Sequence, residues 1–346
     1  GYSFLSTLKN EITIFGSARF SQDDPYCVIA RDLSKMLGEK GHAIITGGGP
    51  GIMEAANRGA HDAGAESVGL NIQLPFEQIL NAHTTKSASF NYFFTRKVML
   101  TSPANGFVFF PGGFGTLDEF FEVVDNMELG HMNKSPIVLV GKEYWQPVLD
   151  FLHKKSCDEV GSVQKEDIDK WKIVETAEEA YEIIKDTKDR PHLCDSGSDV
   201  LHCQGGMDWR IFRIMSELVE GFEFITKHDI DVTVMGTKSI KPDSKYYNLA
   251  YNLGKILAQN KYDVVTGGGP GTMEAVNKGA FEQGGNSYGI NMRFDKGERV
   301  NDYITNSTGF YFPFVRKLII TSPAREFVFF PGGLGTMHQL FEILTL

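Results

Sequence analysis

A glycine-rich segment, Pro111-Gly112-Gly113-Phe114-Gly115-Thr116, follows an apolar run and precedes a predicted helix. Backbone amides at the start of a helix bind anions, and the helix dipole adds a favourable field. We expect Thr116 either to cap the helix or to donate its hydroxyl to a phosphate oxygen. Asp118 and Glu119 are expected in the first turn, where acids can simply complement the dipole. Because two carboxylates beside an anion are unfavourable, we expect Glu119 to face the reacting end of a ligand.

Two adjacent cations, Arg96 and Lys97, lie on the predicted helix before this segment. Successive helical residues point about 100° apart, so the two side chains need not share a target. Such a pair usually belongs to a solvated helix face, but the following residues Val98, Met99 and Leu100 are apolar. An arginine embedded in such surroundings needs a carboxylate or phosphate partner.

A second glycine segment, Gly47-Gly48-Gly49-Pro50-Gly51, follows another predicted strand. Residues without side chains let the backbone approach a ligand, although a tight strand-to-helix turn has the same composition. The segment lacks both the GxGxxG fingerprint with its downstream acid and the Walker lysine, which disfavours an NAD-dependent oxidoreductase. Ser17, after the first predicted strand, and Glu54, in the helix after the glycines, are further candidates for contact with a ligand.

Both glycine segments occur twice in the sequence. Residues 47–60 recur at 267–280 with 11 of 14 positions identical, and residues 101–116 recur at 321–336 with 13 of 16 identical. The displacement is 220 residues in both cases, which is far too long for a solenoid unit and indicates a duplicated domain. We therefore predict three regions: a first domain at 1–186, a linker and connecting helix at 187–228, and a second domain at 229–346.

Each copy alternates short apolar runs with helix-period segments, which predicts an α/β fold with two tandem Rossmann-like, doubly wound parallel sheets. In the first copy the predicted strands are at 11–15, 42–46, 67–71, 106–110 and 136–140. The predicted helices are at 26–39, 52–63, 91–101, 116–127, 144–153 and 177–185, with a connecting helix at 209–220. The second copy ends within the helix after its glycine segment, so we expect its sheet to be truncated at the C-terminus.

Composition narrows the class of protein. Apolar residues make up 42% and charged residues 23%, as in ordinary globular chains, and no apolar stretch or N-terminal leader pattern predicts a membrane span or export. The net charge of −10 disfavours nucleic-acid and membrane binding.

The four cysteines lack CxxC spacing, so a reducing cytoplasm is the expected location. His192, Cys194, His202 and Cys203 in the linker lack zinc-finger spacing, and we predict no metal and no cofactor.

The pairing of Arg96, Lys97 and Met99 with the segment from Pro111 to Glu119, PGGxGTxxE, resembles the signature of the Lonely Guy family. These proteins are nucleoside 5′-monophosphate phosphoribohydrolases, often mislabelled as lysine decarboxylases. The resemblance implies a Rossmann-like enzyme that hydrolyses the N-glycosidic bond of a nucleotide such as AMP to a free base and ribose 5-phosphate. It covers about 12–185 and again 232–346.

The resemblance also implies roles for particular residues. Arg96 and Glu119 match the catalytic arginine and glutamate of the family. The matching ligand-binding segment comprises Lys97, Gly112, Gly113, Gly115 and Thr116. From the reaction's needs we add Lys97 or Arg19 as counter-charges for the 5′-phosphate, and Ser17, Glu54, Gly48 and Gly49 as substrate contacts.

The second copy departs from this pattern. It keeps Arg316, Lys317, Gly333, Gly335 and Thr336, but has His338 in place of Asp118 and Gln339 in place of Glu119. A glutamine cannot carry the negative charge of a glutamate. We therefore predict that this degenerate second site binds nucleotide weakly or without hydrolysis, and that the first copy is the working site.

Lonely Guy proteins usually form dimers, so tandem copies are expected to form an intrachain pseudo-dimer, with further homo-oligomers possible.

The alternative function is a non-catalytic carrier of a nucleotide or of a cofactor of the molybdenum-cofactor type. Such a carrier would need the anion-binding loop but not the carboxylate of Glu119.

Overall fold

The computed structural model describes residues 8–73, 80–187, 206–228, 230–293 and 300–345, with the backbone alone for residues 206–210. The chain divides into two compact units. Of the described residues, the first unit holds those up to 153, those at 165–187, and 344 and 345. The second unit holds 154–164 and the described residues from 206 to 343. The four linker side chains considered for zinc lie outside the described residues.

The first unit is built on a seven-stranded sheet in the order β4-β3-β2-β1-β5-β6-β7, with every neighbouring pair parallel. The strands are β1 Ile12–Phe15, β2 Ile44–Thr46, β3 Ser67–Ile72, β4 Lys86–Phe90, β5 Gly106–Phe109, β6 Ile137–Val140 and β7 Lys172–Val174. The strand order reverses between β1 and β5, and open α/β sheets bind ligands at the carboxyl ends of strands at such a switch point. The predicted doubly wound parallel sheet is confirmed.

Helices connect most of these strands. They are α1 Pro25–Glu39, α2 Ile52–Asp62, α3 Phe93–Thr101, α4 Phe114–Glu128, α5 Lys142–Phe151, α6 Lys165–Ile168 and α7 Ala177–Ile184. A π-helical segment, Leu152–Glu159, continues from α5. The sequence did not predict β4, β7 or α6. β4 has the sequence KSASF, which is mostly polar or small, and its side chains are half-buried or exposed. β7 and α6 span only three and four residues, which is too short for a periodic pattern.

The core of the first unit explains why these segments form strands. Ile12, Ile14, Val108 and Val138 are fully buried and belong to one hydrophobic cluster. Strands buried on both faces of a parallel sheet read as continuous apolar runs, and β5 and β6 have that composition. On one face the apolar sides of α1, α2 and α7 pack against these strands. The resulting rigid sheet fixes the loops at its carboxyl edge.

The second unit repeats this plan on a smaller sheet of parallel strands, in the order β11-β10-β9-β8-β12. Its strands are β8 Val232–Met235, β9 Val264–Thr266, β10 Ser287–Met292, β11 Asn306–Phe310 and β12 Glu326–Phe329. Its helices are α8 Gly206–Thr226, α9 Lys245–Gln259, α10 Thr272–Phe281, α11 Pro313–Thr321 and α12 Leu334–Thr345. This order matches β4-β3-β2-β1-β5 of the first unit, as a duplication with a smaller second sheet requires. The connecting helix α8 extends beyond the predicted 209–220 at both ends.

Candidate functional site

Three loops meet at the carboxyl edge of the first sheet, around Ser17. The backbone N–H of Ser17 donates to the carbonyl oxygen of Pro111 at 3.1 Å, which joins the loops after β1 and β5. The carbonyl oxygen of Ser17 accepts from the N–H of Ile52 at 3.0 Å, which joins the loop after β1 to the start of α2. Both predicted glycine segments and Ser17 therefore share one edge of the sheet.

The glycine segment at 47–51 has backbone conformations that require glycine. Gly48 and Gly51 have φ angles of 73° and 67°, in the left-handed region. A Cβ atom at Gly51 would also overlap the carbonyl oxygen of Ser17. The carbonyl oxygens of Gly48 and Gly49 each accept a hydrogen bond from the Nδ2 atom of Asn81, at 3.1 Å. These carbonyl groups are thus held by the protein itself, which fixes the shape of the loop.

A buried polar network behind this loop was not predicted from the sequence. The side-chain oxygen of Asn57 accepts from Thr46 Oγ1 at 2.6 Å and from Asn81 Nδ2 at 2.9 Å, while its Nδ2 donates to Ser67 Oγ at 2.9 Å. Asn57 has no exposed surface. A signal was present, because both asparagines recur in the second copy at the same displacement of 220 residues.

Arg96 reaches from α3 to the glycine loop. Its Nε atom donates to the carbonyl oxygen of Leu70 at 2.7 Å. Its Nη2 atom lies so close to Gly47 that a Cβ atom at that position would overlap it. Burial lowers the pKa of Arg96, and the negative charge of Glu119 opposes this shift. The structure therefore brings the predicted catalytic arginine into electrostatic contact with Glu119.

The anion-binding loop differs from its predicted form at Thr116. Helix α4 begins at Phe114 with Gly113 in the N-cap position, so the prediction that Thr116 caps the helix is wrong. The Thr116 side chain instead lies over Gly112, where a Cβ atom would overlap its hydroxyl oxygen. The hydroxyl of Tyr144 donates to the carbonyl oxygen of Gly112 at 2.8 Å. Around Gly113 itself the space is open.

The two acids of α4 also lie further along the helix than predicted. Because α4 begins at Phe114, Asp118 and Glu119 fall in its second turn, and the first turn contains no acid. They therefore do not serve as first-turn partners of the helix dipole, and the prediction that they lie there is wrong. Both side chains are buried, with exposed fractions of 1% and 7%.

Glu119 is a buried carboxyl group with unused hydrogen-bonding capacity. Its Oε2 atom has no hydrogen-bond partner among the described residues. Burial raises its pKa to about 8; Lys97 and Arg96 lower the value, whereas Glu122 and Asp118 raise it. A strongly perturbed carboxyl group beside an open loop is typical of a functional site.

Lys97 is paired with two buried carboxylates of α4. Its Nζ atom pairs with Oδ2 of Asp118 at 2.5 Å and with Oε2 of Glu122 at 3.5 Å, and all three side chains are buried. The structure thus gives this lysine two carboxylate partners inside the protein, rather than placing it beside the open loop.

The remaining predicted contacts lie around the same edge. Arg19 is exposed, and its backbone N–H donates to Ser17 Oγ at 3.1 Å. Glu54 lies in the first turn of α2, where its carboxylate accepts from Gln22 Nε2 at 3.4 Å. Gly115 is half-buried in the first turn of α4.

The second unit preserves the loops but not the charges. Arg316 donates to the carbonyl oxygen of Ile290 at 2.9 Å and lies against Gly267, as Arg96 does against Gly47. Thr336, in the first turn of α12, covers Gly332, and the neighbouring Gly335 is half-buried.

Two of the three acids around Lys97 are replaced in the second unit, by His338 and Gln339, whereas Glu342 stands in the place of Glu122. Lys317 contacts the ring nitrogen Nδ1 of His338, and Gln339 is buried with its Nε2 atom unpaired among the described residues. A Cβ atom at Gly333 would lie 2.9 Å from the carbonyl oxygen of Ser162, whereas the space around Gly113 is open. The second loop is therefore more enclosed than the first.

No group of three or more His, Cys, Asp and Glu side chains in the described ranges is arranged to hold a metal ion. Within the same ranges, no helix has both the length and the apolar composition needed to cross a membrane.

The parallel sheets, with glycine loops at the switch point, place both units in the Rossmann-like class of α/β folds. Residues 53–184 match the family described as possible lysine decarboxylase, and residues 229–344 match the SLOG cluster4 family. The predicted resemblance to the Lonely Guy family, in two tandem copies, is confirmed.

Two curated relatives are named as cytokinin riboside 5′-monophosphate phosphoribohydrolases. The chain is 28% identical over 145 residues to a cytokinin riboside 5′-monophosphate phosphoribohydrolase of Rhodococcoides fascians, an alignment that covers 41% of this chain and 73% of the relative. It is 29% identical over 140 residues to the corresponding protein of Oryza sativa, covering 40% of this chain and 57% of the relative. The chain is thus similar to nucleotide hydrolases over less than half of its length.

Solved structures with similar folds include two proteins whose names refer to the molybdenum cofactor. One is the molybdenum cofactor binding protein of Rippkaea orientalis, with 18% identity, a TM-score of 0.39, and coverage of 51% of this chain and 93% of that one. The other is the molybdenum cofactor carrier protein of Chlamydomonas reinhardtii, with 20% identity, a TM-score of 0.38, and coverage of 52% and 98%.

Proposed function

We propose that the first unit hydrolyses the N-glycosidic bond of a nucleoside 5′-monophosphate, with release of the base and ribose 5-phosphate. The observation that carries this proposal is the buried, unpaired Oε2 atom of Glu119, one turn behind the open N-terminus of α4 and within electrostatic range of Arg96. Binding an anion at a helix start does not require a nearby carboxylate, whereas cleavage of a glycosidic bond requires one.

The 5′-phosphate would lie on the backbone amides at the start of α4. The space around Gly113 is open, and the dipole of a 15-residue helix adds a favourable field for an anion. The exposed Arg19, beside Ser17 on the adjoining loop, is placed to supply a counter-charge. The buried pairing of Lys97 with two carboxylates leaves Arg19 as the better candidate for that role.

Glu119 would act on the ribosyl centre. As the C1′–N bond breaks, positive charge develops on the ribose, and a carboxylate in a buried site stabilises that charge strongly. Water adds its oxygen to C1′ and gives up a proton, which the ionised Glu119 would accept. The leaving base takes up a proton from solvent at its ring nitrogen, and Glu119 returns its proton to solvent. One water is consumed, and ribose 5-phosphate and the neutral base result.

Arg96 would assist the same step from the other side. Its guanidinium is held by Leu70 and pressed against Gly47, so little reorganisation is needed when a ligand binds. It can donate a hydrogen bond to the departing base, and its charge favours the ionised form of Glu119. Both effects lower the barrier to bond cleavage.

The second unit would not hydrolyse nucleotide. Gln339 lacks the charge that Glu119 supplies, and Ser162 lies close to the loop at Gly333. We propose that it is the non-hydrolytic half of the chain.

The test is incubation of the full chain with AMP, GMP, CMP, UMP and the cytokinin riboside 5′-monophosphates for which the relatives are named. Free base and ribose 5-phosphate are followed by chromatography, with adenosine as the control that lacks the phosphate. We expect base release from at least one monophosphate and little from adenosine. Saturable binding of monophosphates without release of base would contradict the proposal and support the carrier function.

A further inference from the structure

Four ionisable side chains of α3 and α4 form one buried cluster in the first unit. Lys97 of α3 lies between Asp118 and Glu122 of α4, with Nζ–O distances of 2.5 and 3.5 Å, and Glu119 adjoins them on α4. Their exposed fractions are between 1% and 7%. Charges interact strongly in such a site because water does not screen them.

Lys97 is poorly placed to bind substrate. Both of its carboxylate partners come from the second and third turns of α4, whereas the open backbone amides lie at the first turn. Moving Nζ to a ligand would leave Asp118 and Glu122 as buried carboxylates without this counter-ion, which is strongly unfavourable. The lysine therefore acts on a reaction at this site through its neighbours.

Every other charge in the cluster affects the ionisation of Glu119. Lys97 is the largest influence that favours its ionised form, with a smaller contribution from Arg96, while Glu122 and Asp118 disfavour that form. These groups come from α3 and α4, the two elements that carry the charges acting on Glu119. The balance between one lysine and two acids thus decides when this carboxyl group releases its proton.

The second unit shows what accompanies the loss of that carboxyl group. Where Glu119 is replaced by Gln339, Asp118 is replaced by His338, and Lys317 contacts the histidine ring instead of an aspartate. The lysine is kept and stays buried. The acids at the positions of Asp118 and Glu119 are thus absent together, while Glu342 keeps the acid that corresponds to Glu122.

We propose that Lys97 is a positioning residue that keeps Glu119 ionisable for the reaction, through its ion pairs with Asp118 and Glu122, and does not hold the substrate phosphate. This inference rests on the proposed function for its activity readout. Its second readout, described below, needs no substrate.

The first experiment measures kcat/KM against pH for the full chain and for Lys97→Met, Lys97→Arg and Asp118→Asn. Removal of a nearby opposite charge moves a carboxyl titration by about one to three units, so Lys97→Met should shift the midpoint to higher pH by about one unit or more. Lys97→Arg should restore most of the shift. Asp118→Asn removes an acid that opposes ionisation and should move the midpoint the other way, to lower pH.

Opposite shifts distinguish this role from a structural one, which would lower activity in both variants without moving the midpoints in opposite directions. Lys317→Met is the matched control in the second unit and should leave the midpoint where it is. A phosphate-binding role for Lys97 would instead raise KM at every pH with the midpoint unchanged. That result would overturn the inference.

The second experiment measures the titration of Glu119 without any substrate. The difference in unfolding free energy between Glu119 and Glu119→Gln chains is followed from pH 4 to 10, in the native, Lys97→Met and Asp118→Asn backgrounds. The pH at which this difference levels off should rise with Lys97→Met and fall with Asp118→Asn. Identical curves in all three backgrounds would overturn the inference, even if the protein proves not to be a nucleotide hydrolase. If Lys97→Met does not fold, Lys97→Gln, which removes the charge but keeps a polar side chain, is measured in its place with the same expected rise.

Discussion

The guanidinium Nη2 atom of Arg96 lies against the backbone of Gly47, with no room for a Cβ atom between them. The two residues belong to separate sequence motifs, on α3 and on the loop after β2. Their contact explains why the glycine is needed, and it fixes the position of the guanidinium relative to the carboxyl edge. The same contact recurs between Arg316 and Gly267 in the second unit.

Gly47→Ala should therefore damage the site through Arg96. The added methyl group overlaps Nη2, so the guanidinium must move or the loop must shift. We expect kcat/KM to fall by about tenfold to a hundredfold, as misplacement of a catalytic group by about 1 Å can cause. Gly267→Ala introduces the same overlap in the second unit. It should destabilise the chain to a similar extent without this loss of kcat/KM, and an equal loss in both variants would contradict the assignment of the working site.

Glu119→Gln should stabilise the protein at neutral and alkaline pH. The pKa of Glu119 is raised from its ordinary value of 4.5 to about 8, so between these values the unfolded chain releases a proton that the folded chain retains. Stability is therefore lost as the pH rises through this window. We expect the variant to exceed the native protein by about 2 kcal/mol or more at pH 8, and by nothing at pH 4. Urea unfolding at several pH values tests this, and equal stability at pH 8 would contradict it.

The catalytic rate should rise with pH, whereas the stability falls. If ionised Glu119 accepts the proton of water, kcat/KM rises with pH, about tenfold per unit, and levels off near the pKa of about 8. Initial rates at low substrate concentration, from pH 5 to 10, measure this profile. A rate that falls steadily over the same range would mean that the protonated form is the active one.

Asn81→Ala should loosen the glycine loop at 47–51. Its side-chain amide donates to the carbonyl oxygens of Gly48 and Gly49 and to Asn57, and its loss removes the Asn81 donor of the buried Gly49 carbonyl. The Gly48 oxygen keeps the backbone N–H of Asn81, and Asn57 keeps the hydroxyl of Thr46. We expect a destabilisation of about 1–3 kcal/mol together with a raised KM. Asn301→Ala removes the corresponding bonds in the second unit and should destabilise without changing KM. Unchanged KM in Asn81→Ala would show that the loop does not contact substrate.

The sequence predicted the parts of the structure that follow from patterns. Apolar runs such as that of β5 predicted buried parallel strands, and all four residues of β5 are buried. The constant displacement between the copies predicted two α/β units. The association of Ser17 with Pro111 follows from parallel strands, whose carboxyl ends share one edge.

What the sequence did not predict depends on side-chain direction and on where helices begin. The start of α4 at Phe114 rather than Thr116 moves Asp118 and Glu119 into the second turn, where they are buried with Lys97. No periodicity shows which of two adjacent cations reaches the loop and which turns towards an acid. The roles of Asn57 and Asn81 likewise required the three-dimensional contacts.

The most direct test of the central claim follows AMP, or the best monophosphate found, with the native chain and with Glu119→Gln. We expect equimolar base and ribose 5-phosphate from the native chain, and no release from a folded Glu119→Gln chain that still binds the nucleotide. Base release that survives in Glu119→Gln would show that the working carboxylate, or the working unit, lies elsewhere.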